Sequence, residues 1–421
     1  MNRRTYPRIV ESKRDFEAPP NIQQCKKFNT TIESDNEVMI KEAIIPTVID
    51  HRHHRLPSED EEVMDDMEED NNMEESFTTA HSEQESQPRK PAHYAYWVQR
   101  NLRDAIYGTV WQAEVLERIE TDNSTLRWRA TGRKVAIKEM SWQQIQQDDD
   151  TSAERPLQEI GAMYYMRRKK LEPYCGDGYT GDVLRDMEPL TQAMLEHHLM
   201  SYLDILSDDD KLYLIMPFCG GGELFDVLEK KQSFSEPQSR FIIRQVLKGV
   251  QNLQKLGICH RDMSLENVML TDNCDVALII DFGMSLKIPY VRVDGVKQRC
   301  LIRADRACGK PYYCSPEVIR NRQPFDGHAV DMWAIGPMLF LLVNGFPPWE
   351  VARTSDDRYR AFSSGQLRAV VQHWGLNLSN DLVDLLQGLF WEDPLKRLTL
   401  EEVLSHPWMQ GSVEALPVPE N

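Results

Sequence analysis

The run Ile258-Cys-His-Arg-Asp-Met-Ser-Leu-Glu-Asn-Val-Met-Leu270 sets a carboxylate, Asp262, and an amide, Asn267, five positions apart. Fourteen residues beyond Asn267 stands Asp281, which opens Asp281-Phe-Gly283 and directly follows the apolar run 276–280. Upstream, Lys138 ends Val135-Ala-Ile, and Glu159 lies alone in a stretch of helical spacing. Carboxylate and amide oxygens are ligands for a hard cation, and a carboxylate within reach of a hydroxyl can take its proton. A lysine that closes an apolar strand is poorly accounted for as surface decoration.

The elements that must position these groups change character along the chain. Residues 108–116 and 133–140 read as short strands, joined by a polar connection at 120–124. Helical spacing follows over 153–170, a loop rich in Gly and Asp over 171–186, and two more strands at 202–206 and 212–216. After residue 218 helical patterns dominate, at 223–231, 237–257, 327–343, 380–390 and 399–404, with apolar strand-like runs at 266–271 and 276–281. Strands first and helices second predict an α+β chain in two lobes. Residues 332–349 carry no charge, but Gly336, Pro337, Asn344, Gly345, Pro347 and Pro348 interrupt them, which fits a buried core helix and a turn and not a membrane span.

With Ser315-Pro-Glu317, Asp331-Met-Trp-Ala-Ile-Gly336 and Arg397 added, the ordered set resembles the eukaryotic protein-kinase domain of the Ser/Thr type, over about residues 95–410. The stretch from Phe390-Trp-Glu-Asp-Pro to His406-Pro-Trp408 is similar to the last helices of the calcium/calmodulin-dependent and AMP-activated kinase group. The resemblance implies a bilobal fold, with a strand-rich N-lobe at 93–217, a helical C-lobe at 218–410 and a short C-terminal tail at 411–421. It implies ATP and Mg2+ as cofactors and a protein hydroxyl as acceptor. Lys138 would hold the α and β phosphates with Glu159 orienting it, Asn267 and Asp281 would ligate the metal, and Asp262 would receive the hydroxyl proton. Val110 and Ala136 would roof the adenine and Met269 floor it, with Met216 as gatekeeper, Pro217, Phe218 and Cys219 as hinge, and Glu223 at the ribose. His260 and Phe282 would stack between the lobes, Asp331 would anchor the catalytic loop, and Glu317 would pair with Arg397.

The chain departs from that pattern in three places. In the Gly-rich loop, Arg103 and Ala105 stand at the first two glycine positions, and only Gly108 remains. Ser264 replaces the lysine that usually follows the catalytic Asp by two residues, and Lys310 stands where Ser/Thr kinases usually carry Thr. Lys310 offers a cation in place of the one lost. These departures keep a second class open, a pseudokinase scaffold that binds partners without catalysis. Between Leu286 and Cys314 there is no Ser or Thr, so activation by Ser/Thr phosphorylation there is not expected, while Tyr290, Tyr312 and Tyr313 leave a tyrosine-phosphate route open. Asp305 is a carboxylate that could pair with Arg261 instead. Glu223 and Glu266 lie where related kinases hold a basic residue N-terminal to the acceptor, and Met284 after Asp-Phe-Gly suggests Ser over Thr.

Composition limits what else the chain can do. It has 49 Lys+Arg and 67 Asp+Glu in 421 residues, a net charge of −18, which argues against nucleic acid or an anionic membrane as partner. Residues 1–92 hold 12 basic and 21 acidic residues, no Trp and no Gly, and are expected to be a disordered acidic region. Its acidic run 58–76 could bind a basic partner, and Ser58 before Glu59-Asp-Glu-Glu62 suits an acid-directed kinase. With no apolar leader and no C-x-x-C among eight Cys, free thiols and a cytoplasmic location are expected, the basic residues of 1–30 leaving nuclear import as the alternative.

Overall fold

The computed structural model describes residues 16, 22–34, 37–46, 92–119, 127–147, 155–176, 179–303, 309–320 and 323–417. Seven strands, β1 (Gln23–Ser34), β2 (Glu37–Pro46), β3 (Tyr94–Ala105), β4 (Gly108–Ile119), β5 (Arg127–Ser141), β6 (Asp204–Ser207) and β7 (Lys211–Pro217), close into a barrel in the order β1-β2-β3-β4-β5-β7-β6. Residues 23–34 and 37–46, expected from composition to lie in a disordered region, form two strands. β1 pairs in parallel with both β6 and β5 and so abolishes the two edges of the sheet. The apolar residues that serve this closure are Ile32, Ala43 and Ile45, which pack with Ala95, Leu116 and Trp128. The acidic run 58–76 lies outside the described residues.

Between β5 and β6 come α1 (Trp142–Gln147), α2 (Pro156–Met166), α3 (Glu172–Cys175) and α4 (Val183–His197), with a π-helical turn over Arg167–Leu171. The span 171–186, expected as a loop, is mostly helix. Asp182 caps α4 by accepting from the Arg185 amide at 3.2 Å, and the buried Asp186 accepts from the Thr180 amide at 2.8 Å. Short polar residues that read as turn formers are serving here as helix caps. The polar connection at 120–124 lies outside the described residues.

The second lobe is helical, and the two together make the α+β bilobal fold. It contains the short β8 (Gly222–Glu223), then α5 (Leu224–Lys231), α6 (Glu236–Lys255), β9 (Ile258–Cys259), β10 (Val268–Leu270), β11 (Ala277–Ile279) and β12 (Leu286–Lys287). A hairpin of β13 (Tyr290–Val293) and β14 (Val296–Arg299), not foreseen from sequence, precedes α7 (Pro316–Arg320) and α8 (Gly327–Asn344). The small helices α9 (Asp357–Ser363), α10 (Leu367–His373), α11 (Asn380–Leu389) and α12 (Leu400–Ser405) complete it. Ser235 opens α6 with a capping box, its hydroxyl accepting from the Gln238 amide at 3.3 Å. α8 carries residues 332–344 of the uncharged stretch and is buried along nearly all its length. It ends at Gly345 (φ +78), where a Cβ would lie 2.1 Å from the Gln232 carbonyl oxygen. No helix among the described residues is long and apolar enough to cross a membrane. The seven described cysteines are free thiols.

Candidate active site

The site lies between the barrel and the helical lobe. Register alone sets much of its roof. Val110 on β4 is opposite Lys138 on β5, and Ala136 is opposite Met216 on β7, so these side chains share one face of the sheet. Below them, Met269 on β10 pairs with Glu223 on β8. Met216, Cys219, Met269, Leu278 and Ile280 pack in one apolar cluster. Met216, Cys219 and Met269, expected as gatekeeper, hinge and floor, thus share one apolar cluster, and Ala136 pairs with Met216 above it.

Lys138 reaches Glu159 of α2 at 2.6 Å, with both side chains largely buried. Burial pushes the Glu159 carboxyl up, and Lys138 pulls it back without cancelling the rise. At Asp281 burial also pushes upward, but Lys138, the Gly283 amide and His260 outweigh it, and the carboxyl is held below its ordinary value. Lys138 is therefore flanked by two carboxylates, one of them firmly ionised. Asp281 sits at φ +63 and Arg261 at φ +68, left-handed conformations that non-glycine residues avoid, and such strain concentrates at functional sites.

The Asp262 carboxylate has two unlike oxygens. Oδ2 accepts from Asn267 Nδ2 at 2.8 Å and lies 3.4 Å from Lys310 Nζ, whereas Oδ1 is buried and has no hydrogen-bond partner among the described residues. Asn267 Nδ2 also donates to the Asp262 carbonyl at 2.8 Å, which leaves the Asn267 amide oxygen for a cation. That oxygen and the Asp281 carboxylate form a hard, oxygen-only donor set that fits Mg2+.

The supports foreseen from sequence are in place. Asp331 accepts from the His260 amide at 2.8 Å and the Arg261 amide at 2.9 Å, while burial pushes its carboxyl up to about 6. The His260 and Phe282 rings meet edge to face at 5.2 Å. Arg397, fully buried, holds Glu317 through two contacts at 2.7 and 3.1 Å.

The degraded Gly-rich loop has a structural explanation. β3 and β4 continue through it, with a break in register between Asn101 and Arg103, and turn at Ile106 and Tyr107. A Cβ on Gly108 would lie 2.1 Å from the Glu139 carbonyl oxygen, so this glycine is required by strand packing alone. Ala105 pairs with Gly108 in the ladder. Arg103, expected at a glycine position of the loop, bridges to Glu223. Burial pushes the Glu223 carboxyl up and Arg103 draws it partly back. Glu223, expected to serve ribose or a basic substrate residue, is thus engaged from within the chain.

Three contacts have no local sequence signal, because their partners are distant. Gln158 of α2 donates to the Ser285 carbonyl and ties the helix to the segment after Asp281-Phe-Gly283. Arg299 on β14 grips Asp326, the cap of α8, at 2.7 and 3.0 Å. Lys310 reaches Ser264 at 3.0 Å. Asp305 lies outside the described residues; Arg261 donates to the Met284 carbonyl at 3.2 Å.

Comparison with known proteins agrees with this geometry. The protein kinase domain family matches residues 169–409. Calcium-dependent protein kinase 29 of Arabidopsis thaliana is 31% identical over 264 residues, covering 62% of this chain and 45% of that protein. Human NUAK family SNF1-like kinase 1 is 28% identical over 335 residues, covering 77% of this chain and 41% of its own length. A probable serine/threonine-protein kinase, fhkD, of Dictyostelium discoideum is 30% identical over 232 residues, 52% of this chain and 30% of that one. The chain spans less than half the length of these relatives. The family match begins at residue 169, after Lys138 and Glu159, so the altered N-lobe is joined to the site by the structure and not by the match. On the match and the constellation together, the chain belongs to the protein kinase family.

Proposed function

We propose that this protein transfers the γ-phosphoryl group of ATP to a serine or threonine hydroxyl of a protein. The observation that carries this reading is the Asp262 carboxylate, one oxygen held by Asn267 and Lys310 and the other left without a hydrogen-bond partner among the described residues. Asp262 would take the hydroxyl proton, Lys138 would hold phosphate oxygens, and Glu159 would keep Lys138 in place. Asn267 and Asp281 would hold Mg2+, which when bound neutralises phosphate charge. Met216, Cys219 and Met269 would form the adenine slot, with Val110 and Ala136 above it.

A scaffold without catalysis would have no use for keeping Lys138, Glu159, Asp262, Asn267 and Asp281 together in this geometry. The Ser/Thr reading rests on Glu266-Asn267 and on the names of the relatives. Acceptors preceded by basic residues are part of the proposal, through Glu266, whose Oε2 is buried without a partner among the described residues. The experiment is incubation of the purified chain with γ-labelled ATP, Mg2+ and mixed basic proteins, followed by acid hydrolysis. Labelled phosphoserine and phosphothreonine are expected. Nucleotide binding by calorimetry with no label transferred would establish the scaffold reading instead.

A further inference from the structure

Ser264 leaves the catalytic loop without a cation where phosphoryl charge develops, yet the space beside it is filled. Lys310 Nζ lies 3.0 Å from Ser264 Oγ and 3.4 Å from Asp262 Oδ2. Two features of the backbone hold it there. Gly309 has φ +89, a conformation that favours glycine, and a Cβ on it would lie tight against the Arg261 carbonyl oxygen at 3.2 Å and in contact with Asp262 Oδ1 at 3.5 Å, so the segment passes close over the catalytic loop. The Lys310 carbonyl then accepts from the Tyr313 and Cys314 amides, each at 3.0 Å, and the Tyr313 hydroxyl accepts from the Leu265 amide at 3.3 Å. The turn bearing Lys310 is therefore fastened to the loop bearing Asp262 and Ser264. Ser264 is fully buried, whereas the Lys310 side chain remains 34% exposed.

We propose that Lys310 is a catalytic residue, the loop lysine relocated onto the segment before α7, with Ser264 as its hydrogen-bonded seat. The inference rests on the phosphotransfer reading above and assigns its missing charge. In the step, the acceptor oxygen forms its bond to the γ-phosphorus as the bond from that phosphorus to the β,γ-bridging oxygen breaks. The hydroxyl proton passes to Asp262, and the electron pair of the broken bond leaves with ADP. Lys310 stays protonated throughout and offsets the charge carried by the transferring oxygens. A neutral side chain at 310 would keep the turn but lose that charge, and a lysine at 264 would return it from the other side.

The test compares Lys310→Thr, Lys310→Gln and Lys310→Arg with the double variant Lys310→Thr/Ser264→Lys. Removing one preorganised transition-state donor lowers kcat by roughly 100-fold. The Thr and Gln variants should show that loss with the KM for ATP changed by less than about threefold, since the charge matters most in the transition state. Their melting temperatures should match wild type. Lys310→Arg should keep more activity than Lys310→Thr, and Ser264→Lys in the Thr background should recover about tenfold of kcat or more. The inference is overturned if the Thr and Gln variants keep wild-type kcat, if they lose ATP affinity and melting temperature in step with kcat, or if the double variant recovers nothing. With active wild type, those outcomes leave the phosphotransfer reading standing. An inactive wild type removes both.

Discussion

Gly108 separates two explanations for the one glycine left in the nucleotide loop. In the structure its missing side chain faces β5, and an alanine Cβ would meet the Glu139 carbonyl oxygen at 2.1 Å and its carbon at 3.0 Å. Neither atom belongs to a flexible side chain, so β4 must part from β5 by about 1 Å or more to reach ordinary contact. Overpacking of this kind costs about 1–3 kcal/mol, and at about 2–4 °C per kcal/mol Gly108→Ala should melt roughly 2–12 °C below wild type. The same displacement acts two residues from the Val110–Lys138 pair, so nucleotide affinity should fall with stability. Ala105→Gly, directly opposite Gly108 in the ladder, should change stability by no more than about 1 kcal/mol. Differential scanning fluorimetry with and without Mg-ATP reads both quantities. Were Gly108→Ala to melt like wild type and bind nucleotide more weakly, the glycine would be there for phosphate approach and the packing explanation would be wrong.

Other outcomes follow from the supports of the site. Glu317→Ala leaves the Arg397 guanidinium buried and uncompensated and should destabilise the fold by about 3–5 kcal/mol, seen as a lower urea midpoint; a loss under about 1 kcal/mol would count against a buried pair. Asp331 has its carboxyl raised to about 6 by burial, so its ionisation opposes folding: relative to Asp331→Asn, wild type should lose melting temperature as pH rises from 4 to 7, and a gain over that range would contradict the burial argument. Phosphatase-treated protein should keep its activity, because the segment before α7 carries no Ser or Thr between Leu286 and Cys314 and is anchored by Arg299 on Asp326. Loss of activity on treatment, restored by rephosphorylation, would refute this.

The catalytic set was legible because residue type and spacing were enough: Asp262, Asn267 and Asp281 are local in sequence, and Lys138 and Glu159 stand out on their elements. α5, α6, α11 and α12 were legible for the same reason, since each buries a periodic apolar face, and α8 was legible from its long uncharged run, whereas the short α7, α9 and α10 were not. β1 and β2 were not, because the acidic residues around them hid the short apolar run Ala43-Ile-Ile-Pro46, and their value to the fold comes only when β1 pairs with β6 and β5 far along the chain. The Arg103–Glu223 bridge spans 120 residues, and no local pattern announces it. The seat of Lys310 needed both partners to be seen: Ser264 reads as a loss until the turn at Gly309 brings Lys310 over it.

The central claim is that this site moves phosphate through Asp262 and Asp281. The most direct measurement is the initial rate of label transfer from γ-labelled ATP to a basic protein acceptor, in Mg2+, for wild type, Asp262→Asn and Asp281→Asn, with nucleotide affinity measured alongside. The account predicts transfer by wild type alone, with Asp262→Asn still binding nucleotide and Asp281→Asn losing its Mg2+-dependent binding. Equal background label in all three would contradict it and leave a fold that binds partners without catalysis.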